Sequence, residues 1–308
     1  MSKKKVLLVA ENHKLASGFG TYAKNLLERL HSSGKYEIAQ FCIYGNSSLA
    51  KEVPWKFYAN APDEEDPQEH KDMYNGNPNN QLFFKDFKRM GFLQTEAYGI
   101  KGYNGVSISS KIPIVSFNKT IFCNKDDARH INIELLYQKK KINIHNFYIP
   151  AGGDEPNPKI NEKFKHKLQF LDEATKYFSN KDNADSDLTV VVGDLNIAPH
   201  EMDVWSHTQL KNVVSHTDIE IRKLKKFMQS YNFHDAVRLT NGFDNKIYSW
   251  WSYRAKDWRK SNRGRRLDHI WVTKKMSNYL KDTFIQEDVR GWIRPSDHVP
   301  VVADFKIS

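Results

Sequence analysis

Residues 188–204 read LTVVVGDLNIAPHEMDV. A run of strand-forming apolar residues stops at Gly193, and Asp194 and Asn196 follow with one Leu between them. Residues two apart on a strand share a face, so this carboxylate and carboxamide point into one cleft. Such a pair can orient a water, the carboxylate as base and the amide as donor to a developing oxyanion. Three other strand ends carry groups of the same kind. NFYIPAGG supplies Asn146 and Tyr148, RRLDHIWV supplies Asp268 and His269, and RPSDHVPVVADF supplies Ser296, Asp297 and His298. Asp297 suits a hard divalent cation such as Mg2+, which prefers oxygen ligands. His298 can donate to a phosphate oxygen once a carboxylate fixes its tautomer, and Asp268 is the natural candidate. Taken singly, an Asp–Asn after a strand is a turn and an Asp–His before one is a cap. Four such groups in one basic chain point instead to a metal-assisted phosphodiesterase site.

The stretch SWWSYRAKDWRKSNRGRRLDH indicates the substrate. Between Arg254 and Arg266 stand seven cations (Arg254, Lys256, Arg259, Lys260, Arg263, Arg265 and Arg266) against the single acid Asp257. Trp250, Trp251, Tyr253 and Trp258 are interleaved with them. Cations neutralise phosphates, and aromatics stack on bases or fill an opened duplex. Trp250 and Trp251 alternate, so one of the two faces inward.

The 308 residues allow one large domain or two modest ones, and 39% hydrophobic residues suffice for a sizeable core. The net charge of +10 is not evenly spread: Met1–Leu82 balances at 10 basic against 10 acidic residues, and Phe83 onward holds 37 against 27. A polyanionic partner fits that second segment, whether nucleic acid, phospholipid or phosphosugar. Cys42 and Cys123 have no metal-ligand spacing and exclude a disulfide framework, which fits a reducing cytoplasm. The apolar run after the initial lysines is too short for a signal peptide, and no later stretch approaches a membrane span.

Elements that position the polar groups are readable along the chain. KVLLVA is a buried strand, SGFG (Ser17–Gly20) a small-residue turn, TYAKNLLERLHSSG a helix and YEIAQFCIYG a second strand, giving a β-α-β start. A glycine turn before a helix can cradle a phosphate, but one loose GxG is common in α/β proteins and does not specify it. Asn60–Gln81 is rich in Asp, Glu, Asn and Pro and reads as a linker or long loop. Seven short strands follow: GVSISS, INIELLY, KINIHNFYI, LTVVVGD, KIYSWWSY, RLDHIWVT and VPVVADFKI. The helix EKFKHKLQFLDEATKYFSN carries Phe164, Leu168, Leu171 and Phe178 at helical spacing, and DIEIRKLKKFMQSYN is a second helix. Mixed strands with interposed helices predict two sheets packed together and covered by helices.

From about Phe83 the chain resembles the exodeoxyribonuclease III family of AP endonucleases, within the endonuclease/exonuclease/phosphatase superfamily. The matching blocks are GYNGVSISSK, NFYIPAGG, VVVGDLNIAPHEMDV, YSWWSYRAKDWRKSNRGRRLDHI and RGWIRPSDHVPVVADF, in that order. The resemblance implies a four-layered α/β sandwich over residues 83–308, with an atypical β-α-β segment and acidic linker over 1–82. It implies Mg2+- or Mn2+-dependent cleavage of DNA phosphodiesters, by incision at abasic sites and by 3′ to 5′ trimming. Double-stranded DNA with abasic sites or 3′ ends is then the expected partner of a cytoplasmic monomer that engages no membrane. By position, Asp194 and Asn196 would orient the attacking water, His298 held by Asp268 would contact the scissile phosphate, and Tyr148 would assist there. Asp297 would bind the metal, with Asp194, Asn196 and His298 beside it. Tyr103 and Asn104 fall where the family contacts the DNA backbone. Trp250, Arg265 and Leu267 fall near the pocket for the abasic sugar, with Arg254 and Arg266 in the same DNA-binding block. Ala151 stands where many relatives have Asn.

The front of the chain departs from that pattern. Family members begin with a strand of the type ATWNVNS and a QETK block whose Glu is a principal metal ligand, and neither is present. Residues 1–82 resemble instead the start of a GT-B glycosyltransferase, through KVLLVAENHKLASGFGTYAKNLLERL and NGNPNNQ. Glu11 and Asn12 close the first strand, although nothing in their spacing makes them replacement ligands. Two readings follow: a DNA repair nuclease, or a DNA-binding relative whose metal site is incomplete. A lipid or inositol phosphate phosphodiesterase is disfavoured by the Trp- and Arg-rich block, and a glycosyltransferase by the want of a second domain of that fold.

Overall fold

Strands buried on both faces read as continuous apolar runs, and Thr189–Val191 is such a run: these residues are 3%, 6% and 0% exposed. The computed structural model describes residues 3–11, 18–43, 51–59, 87–100, 104–182, 184–255, 257–292 and 295–307. The chain divides into two compact units, Met1–Lys85 and Asp86–Ser308.

In the first unit, β1 (Lys4–Glu11), α1 (Gly18–Ser32), β2 (Tyr36–Ile43) and β3 (Lys56–Ala59) form a three-stranded parallel sheet in the order β1-β2-β3 with one helix. Parallel neighbours need a crossover, and α1 supplies it. Ala23 and Leu27, four apart on α1, are both 0% exposed and bury one helix face. The β-α-β order is that read from the sequence. β3 was not anticipated, because four residues of KFYA are too short for a periodicity to register. Ser17 and the acidic stretch Asn60–Gln81 lie outside the described residues, and Gly18 opens α1.

The second unit is a mixed α/β sandwich. Its strands are β4 (Gln94–Gly99), β5 (Gly105–Ser110), β6 (Ile114–Lys119), β7 (His130–Tyr137), β8 (Lys140–Tyr148), β9 (Thr189–Asp194), β10 (His234–Asp235), β11 (Trp250–Trp251), β12 (Gly264–Arg265), β13 (Asp268–Val272), β14 (Leu280–Ile285) and β15 (Val301–Phe305). Six of them make one sheet in the order β10-β13-β9-β8-β7-β6, with β8 and β9 parallel and the other pairs antiparallel. Helices α2 (Glu162–Ser179) and α3 (Asp218–Gln229) cover one face. There Phe147, Val191 and Trp271 pack on Phe170, Leu171, Phe178, Leu224 and Phe227. Alternate residues of the same strands, Ile142, Val190, Ile270 and Val272, face the other way onto Ile108, Val301, Ala303 and Phe305. A second continuous sheet is expected on that side. Among the described residues it takes the form of two separate antiparallel hairpins, β4–β5 and β14–β15.

Gly193 is where β9 bends. It has φ +127, and an added Cβ would stand 2.0 Å from the Phe147 carbonyl oxygen and 2.8 Å from Asn146 Oδ1. No L side chain suits both that backbone and that space. Gly193→Ala is expected to destabilise the protein by about 3 kcal/mol or more, read as a lowered urea midpoint at unchanged slope. A midpoint within error of the parent would refute the close approach.

Candidate active site

Strand register assembles the site. Tyr148 on β8 and Asp268 on β13 are both Cα partners of Asp194 on β9, so the three occupy one rung of the sheet. They share parity with Ile144, Val192 and Ile270, and all point to the hairpin side. Asn146 is on the same face, donating to the Ser107 carbonyl of β5 at 2.9 Å.

Beyond Asp194 the chain turns through Asn196 at φ +53, a left-handed conformation that Asn tolerates better than most residues. Its backbone N–H donates to Asp194 Oδ1 at 2.9 Å, and its Nδ2 donates to Asp194 Oδ2 at 2.8 Å and to the Ile149 carbonyl at 3.0 Å. Both carboxylate oxygens are thereby fixed. The expected role of the Asn196 amide as an oxyanion donor is correspondingly reduced, because its N–H groups are already committed to holding Asp194.

His298 completes the group. Its Nδ1 lies 2.8 Å from Asp268 Oδ2, an oxygen that also accepts from Ser249 Oγ at 2.6 Å. Ser249 Oγ in turn accepts from the backbone N–H groups of Leu267 and Asp268, both at 3.0 Å. With Nδ1 occupied, Nε2 faces the cleft, 3.9 Å from Asp194 Oδ2. Burial pushes the imidazole pKa down, but the hydrogen bond and charge of Asp268, with the charges of Asp194 and Asp297, outweigh it and lift His298 to about 9. Burial, then the neighbouring Asp268 charge, raises Asp194 to about 7.

One ligand atom each from Asp194, Asp268 and His298 lies within 4.8 Å of the others. Two adjacent carboxylates, one of them pushed towards neutrality, mark a place short of positive charge, and the donor set suits a divalent cation. Asp297 is not in this trio. Its Oδ2 accepts from Trp250 Nε1 at 2.9 Å and its carbonyl from the Trp251 N–H at 2.9 Å.

The sugar-pocket candidates do come together. The Arg265 guanidinium lies 5.6 Å from the Trp250 ring centre and donates to the Val214 carbonyl at 3.0 Å and Ser215 Oγ at 2.6 Å. Leu267 packs with Ala198, Val204 and Leu210, and Trp250 lies against them. Trp251, 1% exposed, is the inward member of its pair. Arg254 is exposed, Asn104 donates to the Asp127 carbonyl, and Arg129 lies 5.0 Å from the Tyr148 ring centre. Tyr103 and Lys256 lie outside the described residues.

Arg266 is a correction. It is 1% exposed and spends its guanidinium on Asp203 (2.7 and 3.0 Å) and Asp235 (2.7 Å), so it is a core cation and not a DNA contact. Sequence reasoning also missed residues that hold the site from behind. Lys167 is 0% exposed and its Nζ reaches the Asn196 carbonyl at 2.8 Å. A lysine three after Phe164 on the apolar stripe of a helix was the available signal.

Comparison with known proteins agrees with this geometry. The family model described as the endonuclease/exonuclease/phosphatase family matches residues 52–298. The chain belongs to that family. Exodeoxyribonuclease III of Haemophilus influenzae is 29% identical over 220 residues, 68% of this chain and 79% of that protein. An AP endonuclease from Archaeoglobus fulgidus superposes with a TM-score of 0.65 at 29% identity, covering 72% of this chain and 82% of that one. A 3′–5′ exonuclease from Neisseria meningitidis gives 0.63 at 25%, with the same coverage. Within the family the chain groups with the exodeoxyribonuclease III and AP endonuclease members, and it is a hydrolytic nuclease of their kind. Enzymes of this family generally depend on a divalent metal. Among the described residues, no helix is long and apolar enough to cross a membrane.

The buried network beneath the site makes stability pH-dependent. Burial alone would raise the Asp203 and Asp235 carboxyls, but Arg266 beside both, joined by Arg238 at Asp203, holds them below the usual range. Carboxyls with depressed pKa stabilise the fold above the ordinary value of about 4 and lose that contribution as pH falls through the lowered values. Urea midpoints are therefore expected to fall below about pH 4. Arg266→Met leaves Asp203 with Arg238 alone and takes the guanidinium from Asp235, costs about 3–5 kcal/mol at neutral pH, and shrinks the acid limb, since the carboxyls are then held down less. A flat profile in both proteins would contradict this account.

Proposed function

We propose that this protein is a divalent-metal-dependent DNA repair phosphodiesterase of the exodeoxyribonuclease III kind. On this reading it incises at abasic sites and trims 3′ ends, acting as a cytoplasmic monomer on double-stranded DNA. The observation that carries the proposal is the grouping of Asp194, Asp268 and His298 on one face of the sheet, two carboxylates and an imidazole with one ligand atom each within 4.8 Å of the others.

Asp194, fixed at both oxygens by Asn196, takes the proton of the attacking water. A base poised near neutrality is what such a step needs. His298, protonated and oriented by Asp268, donates Nε2–H to a non-bridging phosphate oxygen and stabilises the charge that builds there. Mg2+ or Mn2+ would be held through the carboxylate oxygens of Asp194 and Asp268 and would supply neutralisation of phosphate charge. Trp250, Arg265 and Leu267 form the wall against which the deoxyribose of an abasic site would lie.

The names of two relatives, an exodeoxyribonuclease III and an AP endonuclease, support the substrate class. One Neisseria structure is described as a 3′ phosphatase bound to a product DNA hairpin, although at 24% identity it speaks for the fold alone. A second reading has one specific observation in its favour: among the described residues, no glutamate joins the metal-compatible trio. A relative lacking that ligand would bind DNA with salt-sensitive affinity and not turn over.

Incision of a duplex with one abasic site, with and without Mg2+, separates the two. Asp194→Asn is expected to lower kcat by about 10²–10⁴-fold and His298→Asn by about 10²–10³-fold, both with duplex affinity nearly unchanged. Incision by the parent no faster than by Asp194→Asn, with binding intact and no Mg2+ uptake by calorimetry, would establish the binding-only reading.

A further inference from the structure

The turn that carries Asn196 is gripped from behind at three successive carbonyls. Asn196 O accepts from Lys167 Nζ at 2.8 Å, Ile197 O lies 2.8 Å from His269 Nε2, and Ala198 O lies 2.6 Å from His216 Nδ1. The three side chains come from α2, from β13 and from the segment before α3, and are 0%, 1% and 1% exposed. Lys167 is distinct among them because it ties together both segments that flank Asp194. Its Nζ also reaches the Ala151 carbonyl at 3.1 Å and Glu220 Oε1 at 2.5 Å, so all three ammonium donors are satisfied. The chain at Gly152, φ +93, wraps the lysine stem so closely that an added Cβ would lie 2.9 Å from Lys167 Cδ.

Glu220 is itself immobilised. It accepts from the Ser215 N–H at 3.0 Å, the Thr217 N–H at 3.1 Å and Thr217 Oγ1 at 2.6 Å, and so closes the capping box of α3. A buried ion pair is poor value as a source of stability alone, since apolar residues of similar volume commonly do as well or better. A pair whose cation ends on the carbonyls of the catalytic turn has another use.

We propose that Lys167, locked by Glu220, is a positioning residue for the phosphodiesterase reaction: it sets the Asn196 turn and thereby the orientation of the Asp194 carboxylate. The proposal rests on the nuclease reading above. Lys167 touches no substrate. It acts through the Asn196 backbone, whose N–H donates to Asp194 Oδ1. Loss of the grip lets the turn relax from its left-handed conformation and moves the base relative to the phosphorus, and small misplacements of this kind are costly in rate.

The test uses the full chain with Lys167→Met/Glu220→Gln, which removes both charges together and keeps an acceptor for the Ser215 and Thr217 donors. The expected variant melts close to the parent, keeps KM within about twofold and loses about 10- to 100-fold in kcat. Lys167→Arg, which keeps donors at the site, recovers part of the loss. In an Asp194→Asn background the same double change is expected to cost much less, because the base that it positions is already disabled. Hydrogen exchange in the 194–198 peptide, read by mass spectrometry, should quicken in the double variant. A folded double variant with parental kcat, or penalties that simply add in the Asp194→Asn background, overturns the positioning role. If the parent itself cuts no DNA, the nuclease reading fails and the positioning role with it. Exchange in the 194–198 peptide then still reports, separately, whether Lys167 holds the turn.

Discussion

Two carboxylates meet across one rung of a sheet, and much of the second unit serves to make that tolerable. Asp194 and Asp268 are Cα partners on β9 and β13, on the same face and mostly shielded from water. Like charges so placed repel, and burial together with the Asp268 charge displaces Asp194 towards neutrality. The surroundings answer with donors. Asn196 bridges both oxygens of Asp194, while Ser249 and His298 share one oxygen of Asp268. His298 is charged because those acids surround it. The same crowding of buried acids therefore yields a cationic donor, through attraction, beside a near-neutral base.

Rigidity behind the rung comes from ion pairs and not from apolar packing alone. Lys167–Glu220 lies on the helix side of the sheet, and Arg266 joins Asp203 and Asp235 beside it. Networks like these contribute little net stability, but each member has one geometry that satisfies all its donors. Helix packing through Phe170, Phe178 and Phe227 sets the position of α2 and α3. The buried charges then translate that position into the placement of single backbone carbonyls. A turn held this way needs little reorganisation when charge develops in front of it.

The legible part of the site was the part governed by strand parity. Asp194, Asp268 and His298 stand at the ends of apolar runs, and alternation tells which way such residues point. The same rule, applied to the RGRR run, would have separated Arg265 from Arg266: adjacent residues on an extended segment face opposite ways, and only one can meet DNA. Cation density concealed this, because composition carries no direction. Lys167 was hidden for a different reason, since a lysine among phenylalanines on a helix can snorkel to water as readily as it can be buried. Its partner Glu220 lies 53 positions on, and no local pattern links the two. In the fold, long strands and both main helices were readable. The division of the second layer into two hairpins was not, because it depends on pairing between distant segments.

Every group assigned here to the phosphate comes from the second unit. Tyr148, Asp194, Asn196, Asp268 and His298 lie within Asp86–Ser308, as do Trp250, Arg265 and Leu267. The family match nonetheless begins at residue 52, within the first unit, and the block that departs from the family pattern lies in that same unit. The departure therefore bears on the supply of carboxylate to a cation and leaves the donors to the phosphate intact.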